Sequence, residues 1–199
     1  MRLLQVLYTV ILLCCSCAYT KNPLRRETHL LQRGKITDTT SYVYELPYPK
    51  GVTHTLVQGY FTHFTHKRRA ALDFKMPVGS AVCAARDGIV MKTKSDGNRG
   101  GIQSADRRHA NYVVIRHADS SYAGYWHLQR NGVLVNTGDT VKAGQLIARS
   151  GNTGYTYFPH LHFIVWAFDK NGRFIQVPAR FRTKNGFKYL RAIRRYTNP

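Results

Sequence analysis

The sequence predicts an all-β domain, built as an antiparallel β-sandwich or a barrel. Short runs of β-branched and aromatic residues recur from Leu46 onward, and Gly, Asn and Asp turns separate them. Such runs at roughly regular spacing are typical of β-sandwiches and barrels. No segment of about 12 or more residues has a clean 3.6-residue hydrophobic period, so no long helix is expected in the domain.

The chain begins with its one long apolar run, residues 1–18, which has Arg2 ahead of it and small residues at its end. This layout is typical of a secretory signal peptide with cleavage after Ala18. A retained membrane anchor and a lipoprotein acylated at Cys17 are the alternatives. After cleavage no transmembrane span would remain. Residues 19–45 are polar and are interpreted as a leader or tether, and residues 46–199 as the domain.

Six strand-like runs follow in order within the domain. They cover residues 81–85, 89–91, 112–117, 133–135, 145–148 and 161–166. Their β-branched and aromatic side chains favour strands. The segment 150–154, SGNTG, lacks the Gly-Lys-Ser/Thr ending of a phosphate-binding loop, and we interpret it as a hairpin turn.

The charge balance is strongly basic, with 30 Lys and Arg against 10 Asp and Glu and a net charge of +20. This balance indicates polyanionic surroundings, such as nucleic acid, an anionic membrane or an acidic cell-wall polymer. Residues 180–195 hold seven Lys and Arg and no acid, interleaved with aromatic residues. This C-terminal basic segment is either a solvated face with buried aromatics or a surface that adheres to a polyanion.

Several enzyme classes are excluded by residue types that the chain lacks. Only Glu27 and Glu45 are glutamates, and HExxH is absent, so the glutamate base of the common zinc proteases is missing. After residue 18 there is no GxSxG, Walker loop or CxxC pair. A zinc hydrolase built from this sequence must therefore carry protons on His or Asp. Cys83 is the only cysteine after the signal, so no intrachain disulfide is available and we expect a buried core thiol.

Two histidine-containing segments suit a metal site. His160 and His162 stand at i and i+2 of a predicted strand, so they share one face while Leu161 faces the core. Such a pair suits metal binding, or one ligand beside one proton carrier, although two exposed strand histidines have the same pattern. His66 and Asp73 supply an imidazole and a carboxylate just before residues 75–79. The alternative to a metal site is that residues 66–73 form a charged loop that leads into a strand.

Together these segments resemble the lysostaphin/LytM-type zinc metallopeptidases, whose fold is a duplicated hybrid motif. The resemblance runs from about Leu46 to Val165 and depends on the order and spacing of several motifs. These are His66 to Asp73, and residues 77–90, 111–117, 125–128, 138–147, 150–154 and 159–163.

The resemblance implies a role for each of five residues. His66, Asp73 and His162 match the zinc ligands, and His127 and His160 match the two catalytic histidines. His66 and Asp73 are seven residues apart, whereas many relatives have a gap of four. We therefore keep His63 as a rival ligand.

The remaining histidines in this part of the chain have no matching role. His109 and His117 match no catalytic position, and His117 is expected at a strand end near the cleft.

The resemblance further implies a secreted, monomeric metalloendopeptidase with one Zn²⁺ per chain. It would hydrolyse peptide bonds in peptidoglycan cross-links or stem peptides, in the periplasm, the cell envelope or outside a bacterium. Peptidoglycan or another anionic wall polymer would be its partner, and no nucleic acid is expected. The alternatives are a non-catalytic wall-binding module or activator of another hydrolase, a biotinyl- or lipoyl-like carrier, and a nucleic-acid-binding protein.

Overall fold

The fold consists of many short strands, in which buried and exposed positions alternate. The computed structural model describes residues 23–38 and 42–199, so the predicted signal peptide lies outside the described residues. Within them, one α-helix, α1 (Pro23–Gln32), precedes the strands, and a 3-10 helix covers Ser104–His109. The strands are β1 (Val43–Tyr44), β2 (Thr53–Gln58), β3 (Ala71–Lys75), β4 (Ala81–Cys83), β5 (Gly88–Lys94), β6 (Gly100–Gly101), β7 (Tyr112–Arg116), β8 (Tyr122–Trp126), β9 (Leu128–Val133), β10 (Thr140–Val141), β11 (Leu146–Ser150), β12 (Gly154–Tyr155), β13 (His160–Phe168), β14 (Phe174–Gln176), β15 (Arg180–Thr183), β16 (Gly186–Lys188) and β17 (Arg194–Thr197).

The main sheet has nine strands in the order β10-β5-β7-β8-β13-β3-β2-β17, with β14 paired to β13. Its strand pairs are antiparallel. Smaller sheets have the orders β4-β11-β9, β1-β15-β16 and β12-β6, and the pairs β1–β15 and β12–β6 are parallel. The predicted all-β fold class is confirmed.

Strand β13 shows how the sequence separates core from site. Leu161, Phe163 and Val165 are almost fully buried in the hydrophobic core, whereas His162 and Trp166 on the other face are half-buried. Successive side chains of a strand point to opposite faces, so this alternation lines one face with chemically active residues. The expected sharing of one face by His160 and His162 follows from the same period.

Strand register brings a row of side chains across the main sheet. Tyr112 lies opposite Trp126, Trp126 opposite His162, and His162 opposite Asp73. A register shift between β2 and β3 then sets Gln58 opposite Asp73. The row therefore joins four neighbouring strands to the end of β2, although its members are far apart in the sequence.

The polar leader contains α1, a helix that the sequence analysis did not predict. Its Leu24 and Leu31 pack against the core, and Gln32 Nε2 donates to the carbonyl of Leu190 over 2.6 Å. Arg25 Nη2 lies 3.3 Å from His63 Nε2. Helix α1, within the segment interpreted as a leader, therefore packs against the rest of the described chain. No helix among the described residues is long and apolar enough to cross a membrane.

The interpretation of residues 150–154 as a hairpin turn was wrong. β11 pairs with β4 and β9, whereas β12 pairs with β6. Gly154 has a φ of 85°, and a Cβ there would lie 2.5 Å from the Cβ of Ala110. Glycine thus lets the segment pass close against the end of the 3-10 helix instead of turning back on β11.

The placement of His117 near the cleft was also wrong. His117 follows β7 at the end opposite Tyr112, roughly 16 Å along the strand at about 3.3 Å per residue. It is buried, its Nδ1 lies 2.7 Å from the carbonyl of Asp87, and its ring contacts that of Tyr44. Burial lowers its pKa.

Cys83 is buried, as expected for a core thiol.

Candidate metal and catalytic site

The fold brings the three predicted metal ligands together, and two of them, Asp73 and His162, line a pocket. Asp73 lies in β3, where only the last residue is exposed, and register places it opposite His162 of β13. His162 Nδ1 lies 2.7 Å from Asp73 Oδ1, and His66 Nε2 lies 3.3 Å from Asp73 Oδ2. The ligand atoms of His66, Asp73 and His162 all lie within 4.8 Å of one another.

His66 has a buried ring nitrogen without a hydrogen-bond partner among the described residues. Its Nδ1–H points to the carbonyl of Gly59 over 3.2 Å, which leaves the lone pair of Nε2 facing Asp73. That Nε2 atom is buried and accepts no hydrogen bond. Buried polar atoms are nearly always satisfied, so a nitrogen left free beside a carboxylate suits a metal ligand.

Asp73 is held by a residue that the sequence analysis did not single out. Gln58 Nε2 donates to Asp73 Oδ2 and to Thr65 Oγ1, each over 2.6 Å, and Gln58 Oε1 accepts from Thr65 N over 2.9 Å. Gln58 therefore connects the carboxylate to the loop that carries His66. Burial alone would raise the pKa of Asp73, but His162 and His66 outweigh burial and hold that pKa well below its usual range.

The two predicted catalytic histidines form the other side of the pocket. His127 Nδ1 donates to the carbonyl of Thr153 over 2.7 Å, and His160 Nδ1 donates to the carbonyl of Phe158 over 2.8 Å. Their ring centroids are 4.7 Å apart. With the proton held on Nδ1 by a carbonyl, each ring keeps the lone pair of Nε2 free to accept a proton.

His127 reaches the pocket through an unusual backbone conformation. It is the single residue between β8 and β9, and strand alternation would turn it toward the core because Trp126 faces the groove. Its φ of 65° breaks the alternation. A non-glycine residue gives up about 1–2 kcal/mol in this left-handed region. Burial, followed by the charges of His160 and His162, lowers the pKa of His127 to about 3.

The five residues singled out by the resemblance thus come together, and the other histidines do not. His127, His160 and His162 also form a group whose ligand atoms lie within 4.8 Å of one another. The rival ligand His63 is exposed and lies against Arg25. Among the described residues, His63, His109 and His117 belong to neither group.

The pocket opens into a groove of about 1230 Å³. Aromatic rings form the floor of the groove. The ring centroid of Trp126 lies 6.2 Å from that of Tyr112, 6.0 Å from that of His162 and 6.0 Å from that of Trp166. The described leader residues do not line it. This shape suits an extended chain laid across the strands and past the pocket.

Sequence reasoning missed the residues that position the site. Gln58 belongs to no motif, and Thr153 lies in the 150–154 motif but was given no role, because their importance depends on the register of β2 and on where residues 150–154 run. Trp126 entered the sequence analysis only as part of the motif at residues 125–128.

The fold and the site define an all-β protein with a His–Asp–His group of the kind that can hold a catalytic metal ion. The sequence profile of peptidase family M23 matches residues 67–176, which include Asp73, His127, His160 and His162, and His66 immediately precedes them. The chain belongs to peptidase family M23, and the resemblance to the lysostaphin/LytM-type enzymes is confirmed.

Similar proteins include peptidoglycan peptidases of Vibrio cholerae. The chain is 40% identical over 114 residues to the peptidoglycan DD-endopeptidase ShyC, an alignment that covers 56% of this chain and 24% of ShyC. It is 40% identical over 91 residues to the peptidoglycan DD-endopeptidase ShyA, covering 46% of this chain and 18% of ShyA. The match thus spans a quarter or less of each relative.

Among solved structures, the antimicrobial peptidase lysostaphin from Staphylococcus simulans is 30% identical with a TM-score of 0.47, covering 60% of this chain and 45% of that one.

Proposed function

We propose that the chain is an exported zinc-dependent metalloendopeptidase that hydrolyses peptide bonds in peptidoglycan cross-links or stem peptides. The observation that carries the proposal is the buried, unpartnered Nε2 of His66 facing Asp73 and His162, with His127 and His160 across the same pocket. The family membership and the similarity to the peptidoglycan DD-endopeptidases ShyC and ShyA support peptidoglycan as the substrate.

The donor set suits a catalytic zinc ion. Two imidazoles and one carboxylate leave the fourth position of a tetrahedral ion open, as in catalytic rather than structural zinc sites. We assign His66 Nε2, an oxygen of Asp73 and His162 Nδ1 as the ligands of one Zn²⁺ per chain. When bound, zinc polarises the scissile carbonyl and lowers the pKa of a coordinating water to about 7.

The protein itself supplies the proton transfers. Because the carbonyls of Thr153 and Phe158 hold the Nδ1 protons of His127 and His160, the two Nε2 atoms face the pocket as acceptors. One of them takes the proton of the attacking water. A protonated imidazole then stabilises the oxyanion and returns the proton to the leaving amine. No glutamate is needed, consistent with a chain whose two glutamates lie at positions 27 and 45.

The test is mass spectrometry of soluble fragments released from purified sacculi in the presence of zinc. The wild type and His63→Ala should release peptides with new amine termini, and His127→Ala should release none. His63→Ala is the matched control, because His63 is an exposed histidine on the loop that carries His66.

Two outcomes would overturn the proposal. Equal release by His127→Ala would remove the assigned proton carrier. No release by a folded, zinc-loaded wild type would favour the alternative, a wall-binding module or an activator of another hydrolase.

A further inference from the structure

The groove beside the candidate site is markedly basic. Its described lining includes five basic side chains and one carboxylate, that of Asp73. The basic residues are Arg69, Lys92, Lys94, Arg107 and Arg108. Because Asp73 is engaged by Gln58 and His162, the charge that the groove offers to a ligand is positive.

Four of these cations belong to β5 or the 3-10 helix, at the end of the aromatic floor that leads away from His162, whereas Arg69 lies in the loop before β3. Strand register continues the cross-sheet row from Trp126 to Tyr112 and then to Lys94 of β5. Three strand spacings of about 4.8 Å put the backbone of Lys94 roughly 14 Å from that of His162. An extended peptide covers this distance in about four residues.

Of the four cations at this end of the groove, Lys92 and Arg107 are available to a ligand. Lys92 Nζ lies 5.9 Å from the centroid of the Tyr112 ring, and the Arg107 guanidinium lies 4.7 Å from that of Tyr155. Among the described residues, neither forms an ion pair with a carboxylate. The aromatic contacts hold both side chains over the groove, since a ring face attracts a cation.

The remaining cations of this end are already engaged. Lys94 Nζ donates to the carbonyl of Arg108 over 2.7 Å and lies 3.7 Å from Asp96. Arg108 Nε in turn contacts His109 Nε2 over 3.2 Å. These contacts fix the 3-10 helix beside β5, and so they keep Arg107 at the same end of the groove as Lys92.

We propose that Lys92 and Arg107 bind a free carboxylate of the substrate, a few residues from the scissile bond. The chain would then select acidic stem peptides over neutral glycine bridges. This inference rests on the proposed peptidase function and adds the charge of the substrate to it. Charge-assisted contacts stabilise the bound acidic peptide, whereas a bound neutral peptide leaves both cations without a carboxylate partner.

The experiment compares two synthetic peptides that contain the same D-alanyl–diaminopimelate bond. One has free side-chain carboxylates, and in the other these groups are amidated. The wild type should cleave the acidic peptide about tenfold more efficiently, as expected for two ion pairs at exposed side chains worth up to about 1 kcal/mol each. Lys92→Gln combined with Arg107→Gln should remove this preference by slowing cleavage of the acidic peptide alone. Lys170→Gln, which removes an exposed lysine outside the groove lining, is the control and should keep it.

Binding is measured separately on His127→Ala. Both tryptophans of the chain, Trp126 and Trp166, line the groove, so their fluorescence reports occupancy. The acidic peptide should bind about tenfold more tightly than the amidated one, and adding Lys92→Gln should abolish most of the difference.

The two proposals fail differently. Equal cleavage of both peptides by the wild type, with equal binding to His127→Ala, would overturn the carboxylate site and leave the peptidase intact. Cleavage of neither peptide, together with no release from sacculi, would overturn the peptidase proposal itself.

Discussion

Replacing Gln58 with methionine tests whether this buried amide orients the carboxylate of Asp73. The side chains have similar volumes, so the change removes the hydrogen bonds without opening a large cavity. It removes donation to Asp73 Oδ2 and to Thr65 Oγ1, and it removes acceptance from Thr65 N. The carboxylate would be free to rotate away from His66, and the loop that carries His66 would lose its contact with β2.

The expected loss in zinc affinity is about 10- to 100-fold, the usual effect of removing a hydrogen bond to a metal ligand. This corresponds to about 1.4–2.7 kcal/mol. Competition with a chelator of known affinity measures it, and the fluorescence of Trp126 reports the metal because its ring lies 6.0 Å from that of His162.

Gln129→Leu, at an exposed position of β9, is the control and should bind zinc like the wild type. A folded Gln58→Met protein with a zinc dissociation constant within about twofold of the wild type would refute this reasoning, because orientation of a metal ligand is worth more than that.

Three further outcomes are expected. Thr153→Val removes the hydroxyl that donates to Leu128 O over 2.7 Å, so the Thr153 carbonyl that holds the His127 ring should become mobile. Turnover should then fall about tenfold while the zinc content stays unchanged. Unaltered turnover would contradict this role. His117 has a pKa lowered by burial, so the unfolded chain takes up the proton first as pH falls below about 6.5, and the free energy of unfolding should decrease between pH 7 and pH 5. In urea unfolding, His117→Leu should show a shallower decrease, and an identical slope would contradict the assignment. Burial raises the pKa of Cys83 to about 11, so its thiol should react with a disulfide reagent only after unfolding, and fast reaction of the native protein would contradict its burial.

Strand alternation made much of the fold predictable. The apolar residues at every second position of β13 go to the core, and the intervening His162 and Trp166 go to the groove. Only the strand period is needed for this separation. The sharing of one pocket by His66, Asp73 and His162 was inferred from resemblance, since it depends on the pairing of β3 with β13 across many residues of sequence.

The local sequence pattern did not predict the conformation correctly where tertiary contacts determine it. Alternation alone would turn His127 toward the core, and only its left-handed φ of 65° reverses this. Residues 150–154 have the composition of a hairpin turn, yet close packing of Gly154 on Ala110 sends the chain past the 3-10 helix. Helix α1 was missed because the ten residues it spans are mostly polar and gain stability by docking on the domain.

The basic residues of the groove come from several separate parts of the chain. The sequence draws attention to the seven Lys and Arg of residues 180–195. The cations that line the groove are instead dispersed over β5, the 3-10 helix and the loop before β3. Because folding gathers them, no single run of basic residues in the sequence contains both Lys92 and Arg107.

Metal content per chain tests the central claim most directly. Elemental mass spectrometry should find one zinc per chain in the wild type and in His127→Ala, and almost none in His66→Ala or His162→Ala, with folding of each variant checked by circular dichroism. This result would divide the five site residues into metal ligands and proton carriers as proposed. A folded His66→Ala protein that retains one tightly bound zinc, or a His127→Ala protein that loses it, would contradict that division.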